Sequence, residues 1–306
     1  MYLDPVELDS KIKYNGIRLE TRILNHESDL EPFMEENTAK QSNINDIDDN
    51  LPSTVTLLRT PDGGKCYVVG TAHFSIESQN DVSRIIQAVQ PHIITVELCM
   101  DRIDILKLDE ERVLREAKNL SFNDIIYIIK ENGMNKGLLF ILSFKLIAYL
   151  TKILDLAPGG EYRRALIEAK KIPNCLIHMG DRPIKITFAR ACGYLTLWQK
   201  IKLAWQLLTQ NISISREDLE KYKNRNVVEE IIVDLAKEYP VLEEVFIKER
   251  DIYLTYSLQL ACKPKIGKRG ELIPAKVVGI IGIGHMLGIV QNWGKVKKCQ
   301  IPLIMR

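Results

Sequence analysis

Apolar and polar positions along the chain fall into short blocks whose period switches between that of strands and that of helices. Thr54 to Leu58 and Lys65 to Val69 are strand-like runs around Pro61-Asp62-Gly63-Gly64, which predicts a hairpin. After it, Val82, Ile85, Ile86 and Val89 keep helical spacing between a capping Ser75 and a terminating Pro91. The unbroken run His92 to Leu98 then reads as a buried strand, giving a β-α-β unit with a parallel pair. Two more runs of this kind occur later, Cys175 to Met179 and Val277 to Ile281. Consecutive helices are predicted from about Asp101 to Gly160, from Ile184 to Leu208, after the capping box Ser215-Arg216-Glu217-Asp218, and from near Pro240. In the last, the stripe Leu242, Val245, Phe246, Ile252, Tyr253, Tyr256 and Leu260 places Glu249 on the core face, with Arg250 as its local partner. The fold class expected is α/β: a central, mostly parallel sheet with helices on both faces and a helical insertion at about 101–172.

Residues 1–52 read as a partly disordered leader to a domain at 53–306. The stretch from Glu27 to Asn50 is Asn/Asp-rich and carries eight acids against one lysine. A net charge of +2 over 306 residues excludes a general nucleic-acid surface. The start Met1-Tyr2-Leu3-Asp4-Pro5 lacks a cationic segment followed by an apolar one, so secretion is not expected and an intracellular, cytoplasmic location is. Gly137 to Leu156 is the most apolar window, but Lys145, Lys152 and Asp155 interrupt it, which favours a core helix over a membrane span. Six scattered cysteines without C-x-x-C spacing read as reduced core thiols. Trp198 and Trp205, at helical spacing, read as core.

Two strand-like runs far apart in the chain end in Gly-x-x-His: Gly70-Thr71-Ala72-His73 and Gly282-Ile283-Gly284-His285. A third strand ends on Glu97. In open α/β sheets ligands sit beyond the carboxyl ends of the strands, so these three side chains are candidates to converge. Two imidazoles and one carboxylate suit a divalent ion, Zn, Mn or Co, whose bound water becomes a hydroxide nucleophile. Hydrogen-bonded core histidines at strand ends would give the same pattern. Asp181-Arg182 after Gly180 is either a site acid with its orienting cation or an ion-paired turn. Glu249-Arg250-Asp251 is either a network that supports the ligands or a buried structural pair. His26, His92 and His178 read as structural.

Taken together, Gly70 to Ser75, Val96-Glu97-Leu98-Cys99, Ala157-Pro158-Gly159-Gly160-Glu161, Gly180-Asp181-Arg182-Pro183, Glu249 to Leu254 and Gly282 to His285 resemble the eukaryotic TraB domain-containing proteins. That family is similar to bacterial pheromone-shutdown TraB proteins and the Tiki metalloproteases, and more distantly to erythromycin esterase and ChaN-like proteins. The resemblance implies an α/β core whose site is formed by His73, His285 and Glu97, with Arg250 matching a family arginine. It implies a metal-dependent, peptidase-like hydrolase acting on a peptide or protein, with Asp181, Arg182, Glu249 and Arg250 as supporting residues. Two alternatives stand beside it. One is a non-catalytic tether at mitochondrial or other organelle membranes, since relatives continue into an apolar C-terminal segment associated with the mitochondrial outer membrane. The other is an esterase-like hydrolase without metal, with His73 as general base.

Overall fold

The computed structural model describes residues 12–14, 17–20, 44–72, 75–106, 159–200, 202–203, 236–267 and 269–306. Its centre is a seven-stranded sheet in the order β1-β2-β6-β5-β9-β4-β3. Strands β1 (Ile12–Tyr14) and β2 (Ile17–Glu20) lie at one edge. Both come from the stretch expected to be a leader. β2 runs parallel to β6, with Leu19 opposite Ile177. Helix α1 (Ile44–Asp49) is held to the hairpin by Asp48, which accepts from Lys65, Tyr67 and Arg59 at 2.7–2.9 Å. Its Asn/Asp-rich composition therefore hides a helix fixed by one carboxylate with three donors.

The predicted hairpin is β3 (Val55–Arg59) and β4 (Lys65–Thr71), antiparallel. Helix α2 (Ile76–Val89) comes next, and Ser75 caps it by accepting from the Ser78 amide. Then come β5 (Ile93–Val96), a 3-10 stretch Met100–Leu106, α3 (Gly160–Ala169), β6 (Leu176–Met179) and α4 (Ile184–Tyr194). The expected helices between 107 and 158, the window Gly137 to Leu156, the capping box at Ser215 and Trp205 lie outside the described residues. Trp198 is 78% exposed, contrary to the core placement expected for it. After α4, the described chain resumes with α5 (Pro240–Glu243), a π-helical turn Glu244–Lys248 and α6 (Glu249–Ala261). A small ribbon, β7 (Lys265–Ile266) with β8 (Leu272–Ile273), leads into β9 (Lys276–Gly282), α7 (Met286–Asn292) and α8 (Ile301–Ile304).

β4, β5, β6 and β9 are mutually parallel, so their carboxyl ends lie on one side of the sheet. Alternation along them divides the core in two. Tyr67, Val69, Ile94, Val96, Ile177, Met179, Val278 and Ile280 face α2 and α3. Cys66, Val68, Ile93, Val277 and Ile281 face Leu254, Leu258 and Ala261 of α6 and Ile289 of α7. Gly279 lets α6 approach: a Cβ there would lie 2.8 Å from Leu258 Cδ2. This is the expected mostly parallel α/β sheet with helices on both faces. Of the six thiols, all free, Cys66, Cys99, Cys175 and Cys262 are buried, whereas Cys299 is exposed. No helix among the described residues is long and apolar enough to cross a membrane.

Candidate active site at the carboxyl edge

Glu97 leaves the end of β5 as a carboxylate with only 3% of its surface exposed. A buried carboxylate needs donors, and it has two kinds. Its Oε2 accepts from the Gly282 amide at the end of β9, at 2.7 Å, while Oε1 accepts from Nη2 of Arg250. Arg250 lies in the first turn of α6, just past the π turn. That turn adds a residue to the helical repeat and rotates the residues after it about the helix axis. Consecutive residues on a helix do not face each other, so Glu249 and Arg250 serve separate networks.

All five N–H donors of Arg250 are engaged. Nε donates to Asp181 Oδ1 and Nη2 to Asp181 Oδ2, both at 3.1 Å, and Nη2 also reaches Glu97. Nη1 donates to the Phe246 carbonyl at 3.2 Å and faces His285 Nε2 at 3.0 Å. Since a guanidinium only donates, His285 Nε2 is the acceptor there, and the ring proton sits on Nδ1, which donates to Asp251 Oδ1 at 2.6 Å. Burial works against the charge on Arg250, but Asp181 and Glu97 outweigh it and hold the guanidinium more firmly protonated than a free arginine. Burial pushes the Asp251 carboxyl above its usual range, an effect the His285 contact only partly offsets. Arg102, in the 3-10 stretch after β5, donates through Nη2 to Asp181 Oδ2 and to the Glu97 carbonyl. Tyr162 of α3 stays a neutral phenol, raised by burial first and then by Glu97 and Glu161.

The structure thus brings together Glu97, His285, Asp181 and Arg250, with Glu97 Oε1 3.5 Å from His285 Nε2. His73 lies outside the described residues. Arg182 and Glu249 form a second cluster beside the first. Arg182, fully buried, donates to Glu249 Oε2 at 2.5 Å and to the carbonyls of Val245 and Ile304. Arg190 contacts both oxygens of Glu249. The expected Glu249–Arg250 pair is therefore replaced by Glu249 with Arg182 and Arg190, and Arg250 with Glu97 and Asp181. Asp181 and Arg182 also part company: the acid joins the edge cluster and the cation the second one. Asp251 and Arg102 are the residues that strand-end reasoning passes over. Asp251 carries a signal, as the third residue of the Glu249-Arg250-Asp251 run; Arg102 carries none.

Arg250 decides how these residues fit a divalent ion. Its guanidinium stands against Glu97, Asp181 and His285 Nε2 together, so an ion taking those donors would have to displace a fixed positive charge from all three. Among the described residues no group of three or more His, Cys, Asp or Glu side chains has metal-binding geometry. As described, without His73, these residues hold Arg250 where an ion would take its donors.

The TraB/PrgY/gumN family profile matches residues 56–301, a span that contains every element of this edge. The chain belongs to the TraB/PrgY/gumN family. It is 44% identical over 250 residues to TraB domain-containing proteins of Homo sapiens and Bos taurus, covering 80% of this chain and 66% of each relative. An uncharacterized protein of Methanocaldococcus jannaschii is 31% identical over 242 residues, 76% of this chain and 54% of its own length. The chain thus spans a little under two thirds of the TraB domain-containing relatives it matches.

Proposed function

We propose that this TraB-family chain is a hydrolase whose reaction centre lies over Glu97, Arg250 and His285, and that it works there without a divalent ion. The observation that carries the reading is the fully engaged Arg250, which holds two carboxylates and an imidazole in one buried cluster at the sheet's carboxyl edge. Burying five ionisable groups so close together is expensive for a scaffold, and such clusters concentrate at reaction centres. In this reading Asp251 holds the Nδ1–H form of His285, Glu97 is pinned by the Gly282 amide and by Arg250, and His73 takes the part of general base expected from the sequence. The substrate class is an ester or amide, a peptide included.

The test is turnover of p-nitrophenyl esters and of a mixed peptide library by the purified full chain, with and without EDTA. Expected are turnover that survives EDTA and a loss of at least about 100-fold in Glu97→Gln and His285→Ala proteins that melt normally. Activity lost in EDTA and restored by Mn²⁺, Co²⁺ or Zn²⁺ would instead establish the metal-dependent peptidase, with Arg250 displaced. No turnover of either substrate would leave the tethering role as the reading of this site.

A further inference from the structure

Four arginines meet at this edge and the adjoining cluster, and the use of their donors separates them: Arg190 engages all three nitrogens, on Glu249, Tyr194 and the Arg306 carbonyl. Arg250 has all five engaged. Arg182 is fully buried, with Nε on Thr187, Nη1 on Glu249 and the Ile304 carbonyl, and Nη2 on the Val245 carbonyl. Arg102 differs on both counts. Only its Nη2 is engaged among the described residues, its buried Nε has no acceptor, and 28% of its side-chain surface is exposed. Among the described residues it is held through Nη2 alone, by Asp181 and the Glu97 carbonyl, which leaves a buried N–H without an acceptor.

We propose that Arg102 is the ligand-facing cation of this site and receives the carbonyl oxygen of a neutral acyl ligand, an ester or amide. The charges around it select that chemistry. Arg102 and Arg250 are already matched by Glu97 and Asp181, and Asp251 adds a further carboxylate beyond His285. A ligand that arrives as an anion meets no excess of positive charge. A carbonyl needs none in the ground state and takes up negative charge only when it is attacked, which is where a fixed guanidinium with an unused N–H acts most strongly. The inference rests on the hydrolase reading for its meaning, but it concerns binding and is tested without turnover.

The probe is 1,1,1-trifluoroacetophenone, a neutral carbonyl compound in equilibrium with its neutral hydrate, its binding followed by ¹⁹F NMR and the Arg102 side chain by ¹H–¹⁵N spectra of the full chain, with acetate, read in the same ¹H–¹⁵N spectra, as the anionic comparison. Expected are saturable ketone binding that shifts the Arg102 Nε–Hε signal, a dissociation constant at least tenfold weaker in Arg102→Gln, partial recovery in Arg102→Lys, and no comparable effect of acetate. If Arg102→Gln does not fold, the wild-type Nε–Hε signal decides alone. Ketone binding unchanged in Arg102→Gln, an unmoved Nε–Hε signal, or acetate binding as tightly as ketone would overturn the proposal. Should esters and peptides go uncleaved while ketone binding depends on Arg102, the hydrolase reading fails and the binding assignment stands.

Discussion

His285 shows how much of a site hangs on a side chain two steps from it. Its ring is fully buried, and its proton is placed by Asp251, whose other oxygen Oδ2 lies where a Cβ on Gly288 would come within 2.0 Å. Only a residue without a side chain leaves Asp251 room on this side. Two different substitutions should therefore produce one effect. Asp251→Ala removes the acceptor, and Gly288→Ala pushes it aside; in both, His285 loses its fixed Nδ1–H form and with it the acceptor that orients Arg250 Nη1. Expected are a mixed tautomer in ¹⁵N spectra of the ring and, on the hydrolase reading, a loss in kcat/KM of roughly 10- to 100-fold, the range typical of residues that orient a functional histidine. Gly193→Ala is the control, because a Cβ there meets nothing within 4 Å. A ring that keeps its Nδ1 proton in Asp251→Ala would show that another group sets the tautomer. From sequence, the convergence of His285 and Glu97 was legible because the strands of a parallel sheet end on the same side. Asp251 was legible only as part of a Glu-Arg-Asp run, since its partner is 34 residues away.

At the scale of elements, the helix that carries Arg250 departs most from its sequence pattern. A regular helix from Pro240 would keep Leu242, Val245, Glu249 and Ile252 on one stripe. The π turn Glu244–Lys248 breaks that phase, and α6 then buries Leu254 and Leu258 against the sheet and Tyr256 and Leu260 against Val296, Ile301 and Ile304. A helix covered on two sides has no single apolar stripe, so periodicity misassigns its partners even where it finds its buried residues. Glu249 is buried as expected, but what it neutralises is Arg182 from the β6–α4 connection. Glu249→Ala would strand a fully buried guanidinium, with a destabilisation of about 3–5 kcal/mol measured by denaturant unfolding. Glu249→Gln, which keeps an acceptor and removes the charge, should lose less. Because Arg182 also holds the Ile304 carbonyl, protection of α8 amides from hydrogen exchange should fall in Glu249→Ala before that of β5 does. Equal protection in both proteins would mean that the second cluster does not hold α8 in place.

Over the whole molecule, the charged groups of the two clusters and of the α1 contact give stability a pH dependence whose parts can be separated. Glu249 is held below the usual carboxylate range: burial opposes ionisation, but Arg190 and Arg182 outweigh it. Asp48 and Glu168 are lowered in the same way, against burial, by Lys65, Tyr67 and Arg59 in the first case and by Lys171, Gln87 and Ser83 in the second. Lowered carboxylates contribute stability that is present above their unfolded values of 3.8 and 4.5 and is lost as pH falls through the lower folded ones. Asp251, raised by burial, acts with the opposite sign and offsets part of that loss. His92 acts earlier. Its Nδ1 accepts the Lys276 amide at 3.0 Å, and burial first, then Lys276 and Lys265, bring its pKa from 6.5 down to about 4. The folded ring therefore stays neutral while the unfolded one takes up a proton. Its contribution is complete above pH 6.5 and is lost between there and pH 4, by at most about 3 kcal/mol and by less because the ring is only partly buried. His92→Asn keeps an acceptor for the Lys276 amide and does not titrate. Urea unfolding from pH 7.5 to 4 should give wild type a steeper fall than His92→Asn between pH 6.5 and 4, with parallel curves above pH 7. Parallel curves throughout would mean that the folded ring protonates as readily as the unfolded one.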